Sequence, residues 1–294
     1  MAKNKIVYNG TTLIDLTGDD VIESDVAQGK IFHKADGTQA IGTASGGGDT
    51  LYDAYTSNDF EYSNSEITAV PAYMCYNSKV KRLDLPNITS VGNYAFYGCT
   101  GLTTVSLPSC TTIGQYAFYN CKNITTIYLP AVTEVQSRGL AGTITGAQAR
   151  TASLPECITL GIYAMQGTAL TSVSIPKIQS IGTNQWENCS YLESLTLPAS
   201  FNGVVPFSMC AKCSALEEVI FEGNVVSVAS SAFNNCTACL VYDFSHCTGI
   251  PTLENVNAFN GINENAQIKV PAALEEDWKW AQRWYQLESH IVGV

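Results

Sequence analysis

The chain of 294 residues is 46% hydrophobic yet only 14% charged, and its 15 basic and 26 acidic residues leave a net charge of −11. Binding to nucleic acid or anionic membrane is disfavoured, because counterion release needs clustered Lys and Arg and the one basic run, "KVKR" at Lys79–Arg82, reads as a solvated turn. No stretch approaches the roughly 20 apolar residues needed to span a bilayer, and an odd count of 11 cysteines points to reduced thiols in a chain made and assembled in a cytoplasm.

The start, "MAKNKIVYNGTTLIDL", carries a basic pair but no apolar core of signal-peptide length before Asn9 and Gly10, so no export signal is expected there. Residues 1–44 read as a small β-containing module. A strand and turn lead to a short segment beginning near Asp19, and a second turn at Asp36-Gly37 precedes a last strand around "QAIGT". "SGGGD", Ser45–Asp49, marks a flexible joint inside a linker over residues 45–60. The text "TLIDLTGDDV…GKIFHKADGTQAIGT" resembles the N-terminal segments of tail, fibre and baseplate-associated proteins of tailed phages. That resemblance implies that residues 1–44 attach to other virion proteins, and that the chain joins a particle in the host cytoplasm.

From residue 61 to 271 the chain repeats itself. Pro86, Pro108 and Pro130 are spaced by 22, and Pro155, Pro176 and Pro198 follow at 25, 21 and 22. Each closes a short alternating run such as "LTTVSLP", in which Leu102, Val105 and Leu107 form the inward set while Thr104 and Ser106 point out. Pro cannot donate to a ladder, so it ends each strand at the same place. A second apolar phrase follows, and "VGNYAFYGC" at 91–99 returns as "IGQYAFYNC" at 113–121. Phe96, Phe118, Trp186 and Phe233, with Met165 substituting, fall in one column. Gly92, Gly114 and Gly182 are expected to take positive φ at a tight reversal. A unit of about 22 residues cannot bury its own apolar face, but stacked units bury a continuous one, so the fold class is a β-rich solenoid.

The period and the "LxxLxL" strand fit leucine-rich repeats, and "LTTVSLPSCTTIGQYAFYNCKNITTIYLP" resembles the BspA-like class with its "IGxxAFxxCxxLxxVxLP" unit, over residues 67–271. Some units depart from that pattern. One has Leu140 or a neighbour in place of the aromatic, another has Glu222 where Pro belongs, and "NAFNGINENAQIKVP" lacks the Cys. Over 272–294 the text changes, and Leu274, Trp278, Ala281, Trp284 or Tyr285, and Leu287 follow helical spacing behind an acidic first turn. A C-terminal capping helix is expected to close the open end of the core.

Two CxxC pairs, Cys210/Cys213 and Cys236/Cys239, have the spacing of a four-thiolate zinc site. The register offers another reading. Cys213 and Cys236 share a column with Cys99, Cys121 and Cys189, while Cys210 takes the aromatic place and Cys239 the next Leu place, so packing accounts for each thiol. No cofactor or metal is therefore expected. His33, His246 and His290 lack a nucleophile and carboxylate at the spacing of a known motif, and "GGG" lacks the Lys of a phosphate loop, so the chain reads as no enzyme.

Binding by surface remains. The outward strand columns supply Thr104, Ser106, Thr126, Tyr128, Ser174 and Thr196 as candidate ligand contacts, and Tyr94, Tyr116 and Tyr119 form a second, aromatic strip. The expected function is a phage virion protein, anchored through residues 1–44, whose repeats bind a host-surface glycan or protein. A virion spacer without a ligand and a bacterial cell-surface adhesin are the alternatives. A homo-oligomer is compatible with a fibre-like role, although no heptad run supports one.

Overall fold

The computed structural model describes residues 67–143 and 151–294, together with the backbone of five earlier strands. The chain divides into two compact units, Met1–Asp53 and Ala54–Val294. In the first, Lys5–Tyr8 pairs antiparallel with Thr11–Asp15, and Ile31–His33 pairs antiparallel with Gln39–Ile41. The last strand coincides with the "QAIGT" text. The segment near Asp19, the turn at Asp36-Gly37 and the "SGGGD" joint lie outside the described residues.

The second unit is a parallel β-solenoid. Each coil contributes one strand of three to five residues and one of two residues, and both kinds stack on their counterparts in the next coil. The longer strands Phe60–Ser63, Val80–Asp84, Thr104–Ser106 and Thr126–Tyr128 form a four-stranded sheet. Thr151–Ser153 pairs with Ser172–Ser174, and a five-stranded sheet runs from Ser194–Leu197 to Ile291–Gly293. The two-residue strands begin at Ala69–Val70 and form a six-stranded and a three-stranded ladder, nine rungs among the described residues. Register follows the sequence period, with Thr104 opposite Thr126 and Ser106 opposite Tyr128.

The alternation of the strand text decides the core. Leu102, Val105 and Leu107 are buried, as are Leu83, Ile113 and Ile124, and the Phe96 and Phe118 rings stack at 5.1 Å. Leu140, Met165 and Trp186 continue that column, all buried, so the unit without an aromatic fills the place with Leu140.

Two expectations need correction. Gly92, Gly114 and Gly182 do not take positive φ. They are small because the preceding coil comes too close: a Cβ at Gly182 would lie 2.5 Å from the Gly161 carbonyl carbon, and one at Gly92 would lie 2.5 Å from the Ala72 nitrogen. Positive φ falls on two other columns. The first holds Tyr73, Tyr94, Tyr116, Arg138, Tyr163, Asn184, Ser208 and Ser231. The second, just before the Cys column, holds Asn77, Gly98, Asn120, Gly142, Gly167, Asn188, Lys212 and Asn235.

The C-terminal segment is also less helical than its spacing predicts. The α-helix is Glu275–Trp280, a 3-10 helix follows at Trp284–His290, and Ile291–Gly293 adds a parallel strand beside Gln267–Val270. Extended Ala281 (ψ 149°) and left-handed Arg283 (φ 68°) break the helix between them. The break brings Trp284 against Phe244 and Phe259 at 6.0 and 5.7 Å, beside Trp278 at 5.5 Å. Trp284 Nε1 donates to the Pro251 carbonyl at 2.7 Å and Arg283 donates to that of Leu253 at 2.9 Å, which covers the last two-residue strand, Thr252–Leu253.

Candidate functional site

Two rows of side chains rise from the longer strands, because alternate residues of a strand face opposite sides of its sheet. Thr104, Thr126, Thr151, Ser172 and Ser194 make one row, and Ser106, Tyr128, Ser153, Ser174 and Thr196 the other. Parallel strands set the rungs about 4.8 Å apart and the rows about 6.6 Å apart. All ten residues are neutral. The structure brings Thr104, Ser106, Thr126 and Tyr128 together on one hydrogen-bonded sheet. Ser174 lies on the separate pair after residues 144–150, and Thr196 on the five-stranded sheet beyond. Among the described residues none of these hydroxyls has a hydrogen-bond partner. Tyr128 is 54% exposed, and among the described residues its ring meets no other aromatic ring.

A second threonine population behaves differently. Thr89, Thr111 and Thr133 lie beside the two-residue strands, and each Oγ1 donates to the carbonyl of its predecessor one coil back, at 3.0 to 3.1 Å. Thr103 and Thr125 do the same from beside the longer strands. These hydroxyls couple coils and are not donors for a ligand.

The tyrosine strip is a block of two stacked rows. Tyr73, Tyr94 and Tyr116 stack at 4.9 and 4.8 Å, and Tyr76, Tyr97 and Tyr119 at 4.9 and 5.3 Å. Arg138 ends the first row, 5.4 Å from the Tyr116 ring and 4.0 Å from that of Tyr163, and donates to the Tyr116 hydroxyl at 2.9 Å. A non-glycine residue in the left-handed region costs about 1–2 kcal/mol, and each stacked pair returns about 0.5–1.5 kcal/mol. Stacking thus offsets the strained backbone of Tyr94 and Tyr116. With Arg138 it also occupies both ring faces of the candidate residues Tyr94 and Tyr116 and one face of Tyr119, leaving edges and hydroxyls outward. Burial in the stack, then neighbouring phenols, push the Tyr94 and Tyr97 pKa up, so both hydroxyls keep their protons.

The thiols face inward. All eleven cysteines are buried, and each is a thiol outside any disulfide. In the repeated column each Sγ donates to the carbonyl at the aromatic place of the preceding coil: Cys99 to Cys75, Cys121 to Phe96, Cys189 to Met165, Cys213 to Trp186 and Cys236 to Cys210, at 2.9 to 3.2 Å. Where the column lacks Cys, Ser78, Thr143 and Thr168 stand in as small side chains with a donor, and only the last unit departs, with Ile262. Burial pushes Cys75 and Cys189 up to about 12, and Cys110, Cys157 and Cys239 up to about 11. Such thiols are protonated and poor nucleophiles near neutrality. Cys210, Cys213, Cys236 and Cys239 are neighbours, yet among the described residues no group of three or more His, Cys, Asp or Glu is arranged to hold a metal ion. The His246 Nδ1 lies 3.5 Å from the Ser245 hydroxyl, and His290 Nδ1 lies 2.9 Å from the Ala266 carbonyl oxygen.

The same repeat is found in a known family. A family model described as the BspA type leucine rich repeat region matches in six copies, over residues 63–141 and 158–276. Among solved structures, a leucine-rich repeat protein from Bacteroides ovatus is 19% identical, with 82% of each chain covered and a TM-score of 0.46. A leucine-rich repeat protein of T. pallidum is 19% identical over 68% of this chain and 83% of that one, with a TM-score of 0.41. A leucine rich cell surface protein from Faecalibacterium prausnitzii is 15% identical over 90% and 96%, with a TM-score of 0.32. No curated protein matches the chain.

Proposed function

We infer, because the chain belongs to the BspA-type leucine-rich repeat family, that it acts by surface recognition and not by chemistry on a substrate. Its solenoid binds a host-surface glycan or protein, and residues 1–44 hold it to other proteins of a phage tail, fibre or baseplate. The observation that carries the recognition role is the double row of neutral side chains on the longer strands, whose hydroxyls have no partner among the described residues. A folded chain ordinarily pairs its polar groups with itself or with water, and a repeated row of accessible, unengaged hydroxyls is a surface ready to exchange water for a ligand. The inward thiols and the coil-coupling threonines belong to the scaffold. The attachment role is supported by the phage-like text of residues 1–44 and by the separate compact unit Met1–Asp53.

The test joins two measurements on the full chain. Purified, fluorescently labelled protein is expected to adsorb to a subset of strains in a bacterial panel, and mass spectrometry of virions from the source culture is expected to find the chain in the particle. Presence in virions without adsorption to any strain makes it a spacer. Adsorption with the chain in the cell envelope, and absent from particles, makes it a bacterial adhesin and overturns the virion role.

A further inference from the structure

Resting on that reading, we propose that the ligand is a neutral glycan and that it lies on the longer-strand face, centred on Tyr128, while the tyrosine block serves the scaffold. Three observations separate the two surfaces. The first is aromatic availability. A pyranose offers a C–H-rich face that packs on an aromatic ring, and hydroxyl edges that need donors and acceptors. Rings of the tyrosine block stack on one another at 4.8 to 5.3 Å, which covers both faces of Tyr94 and Tyr97 and one face of each end ring, so no ring there stands apart from another. Tyr128 has no ring partner among the described residues and stands half exposed among hydroxyls.

The second is hydrogen-bonding capacity. Ser106 is the rung partner of Tyr128, and Thr104 that of Thr126, so one aromatic and three hydroxyls share two adjacent rungs. A hydroxyl both donates and accepts, matching a sugar hydroxyl in either sense. The third is charge. The chain carries −11, yet the two rows hold no charged side chain from Thr104 to Thr196. Charge returns only at the ends, with Arg82 and Asp84 before the strip and Glu218 after it. A neutral strip in an acidic chain fits an uncharged ligand and offers nothing to an acidic polymer.

Affinity electrophoresis of the full chain through gels holding dextran, mannan, galactomannan, xylan or, as the charged control, alginate tests this. At least one neutral polymer is expected to retard the wild type, and alginate is not. Tyr128→Ala should weaken that retardation about tenfold, and Tyr128→Phe should keep most of it because the ring face remains. The double variant Thr104→Ala/Thr126→Ala should weaken it severalfold, and Tyr116→Phe should leave it unchanged. Equal thermal midpoints for all variants confirm that the fold is intact. Retardation unmoved by Tyr128→Ala and by the double variant, retardation by alginate alone, or no retardation by any neutral polymer overturns the proposal. If the last occurs while labelled protein still adsorbs to cells, the recognition role stands and the ligand is a protein. If adsorption fails as well, both readings fall.

Discussion

Thr104 and Thr111 stand seven residues apart in one coil and have opposite fates. Thr111 donates its hydroxyl to the Thr89 carbonyl one coil back, whereas Thr104, on the strand face, engages its own with none of the described residues. The same chemistry serves cohesion on one side of the coil and display on the other. A solenoid permits this division because each coil meets only its neighbours, so a side chain either couples adjacent coils or is left for solvent and ligand. Residues of the first kind should govern stability and those of the second kind should not.

The thiols give this division its largest test. Burial lifts Cys75 and Cys189 from 9.0 to about 12, and Cys110, Cys157 and Cys239 to about 11. As pH passes 9, the unfolded chain releases these protons while the folded chain retains them. The unfolded state then binds fewer protons, and stability falls as pH rises. Their contribution is whole below pH 9 and is lost as pH climbs through 11 to 12. Raised Tyr94 and Tyr97 act with the same sign. Circular dichroism melts should show a midpoint that holds from pH 7 to 9 and collapses before pH 12. A flat midpoint to pH 11 would mean that the thiols are not sealed in the core.

Next in size is the close approach of coils. Gly182→Ala places a methyl 2.5 Å from backbone of the preceding coil and should cost about 2 kcal/mol through overpacking. Glycine is not universal in this column, since Gln136 and Ala229 take the same place in other coils. Urea denaturation measures the loss, and an unchanged midpoint would show that the coil shifts without penalty.

These glycines also show which parts of the fold were legible in the sequence. The period of 22, the strand alternation and the buried aromatic column follow from repeated apolar positions, which burial enforces in every coil. Glycine is the familiar left-handed residue, so residue type alone points to Gly92, Gly114 and Gly182 for positive φ. A better signal was present: the place before the Cys column reads Asn, Gly, Asn, Gly, Gly, Asn, Lys, Asn from Asn77 to Asn235, the alternation that a left-handed position favours. The other left-handed column could not be read from residue type, because Tyr94, Tyr116, Arg138, Asn184 and Ser208 alike take that conformation, each donating its backbone N–H to a carbonyl of the next coil. The helical spacing after Leu274 likewise hid the break at Ala281–Arg283, which long-range packing of Trp284 imposes. For the candidate site, pointing direction was legible and engagement was not. Thr104 and Thr111 look alike in sequence, and only coil-to-coil geometry decides which hydroxyl finds a carbonyl.

The smallest effect compares those two residues directly. Val keeps the shape and β-branching of Thr and removes only the hydroxyl, so backbone preference is conserved. Thr111→Val deletes the donor to the Thr89 carbonyl and should cost about 1 kcal/mol, the net worth of one intramolecular hydrogen bond. Thr104→Val deletes a hydroxyl with no described partner and should shift stability by less than about 0.5 kcal/mol. Thr111 is the more exposed of the two, so an account based on burial alone predicts the reverse order. Matched urea midpoints therefore decide between burial and engagement, and a Thr104→Val loss as large as that of Thr111→Val would erase the distinction between the two sides of the coil.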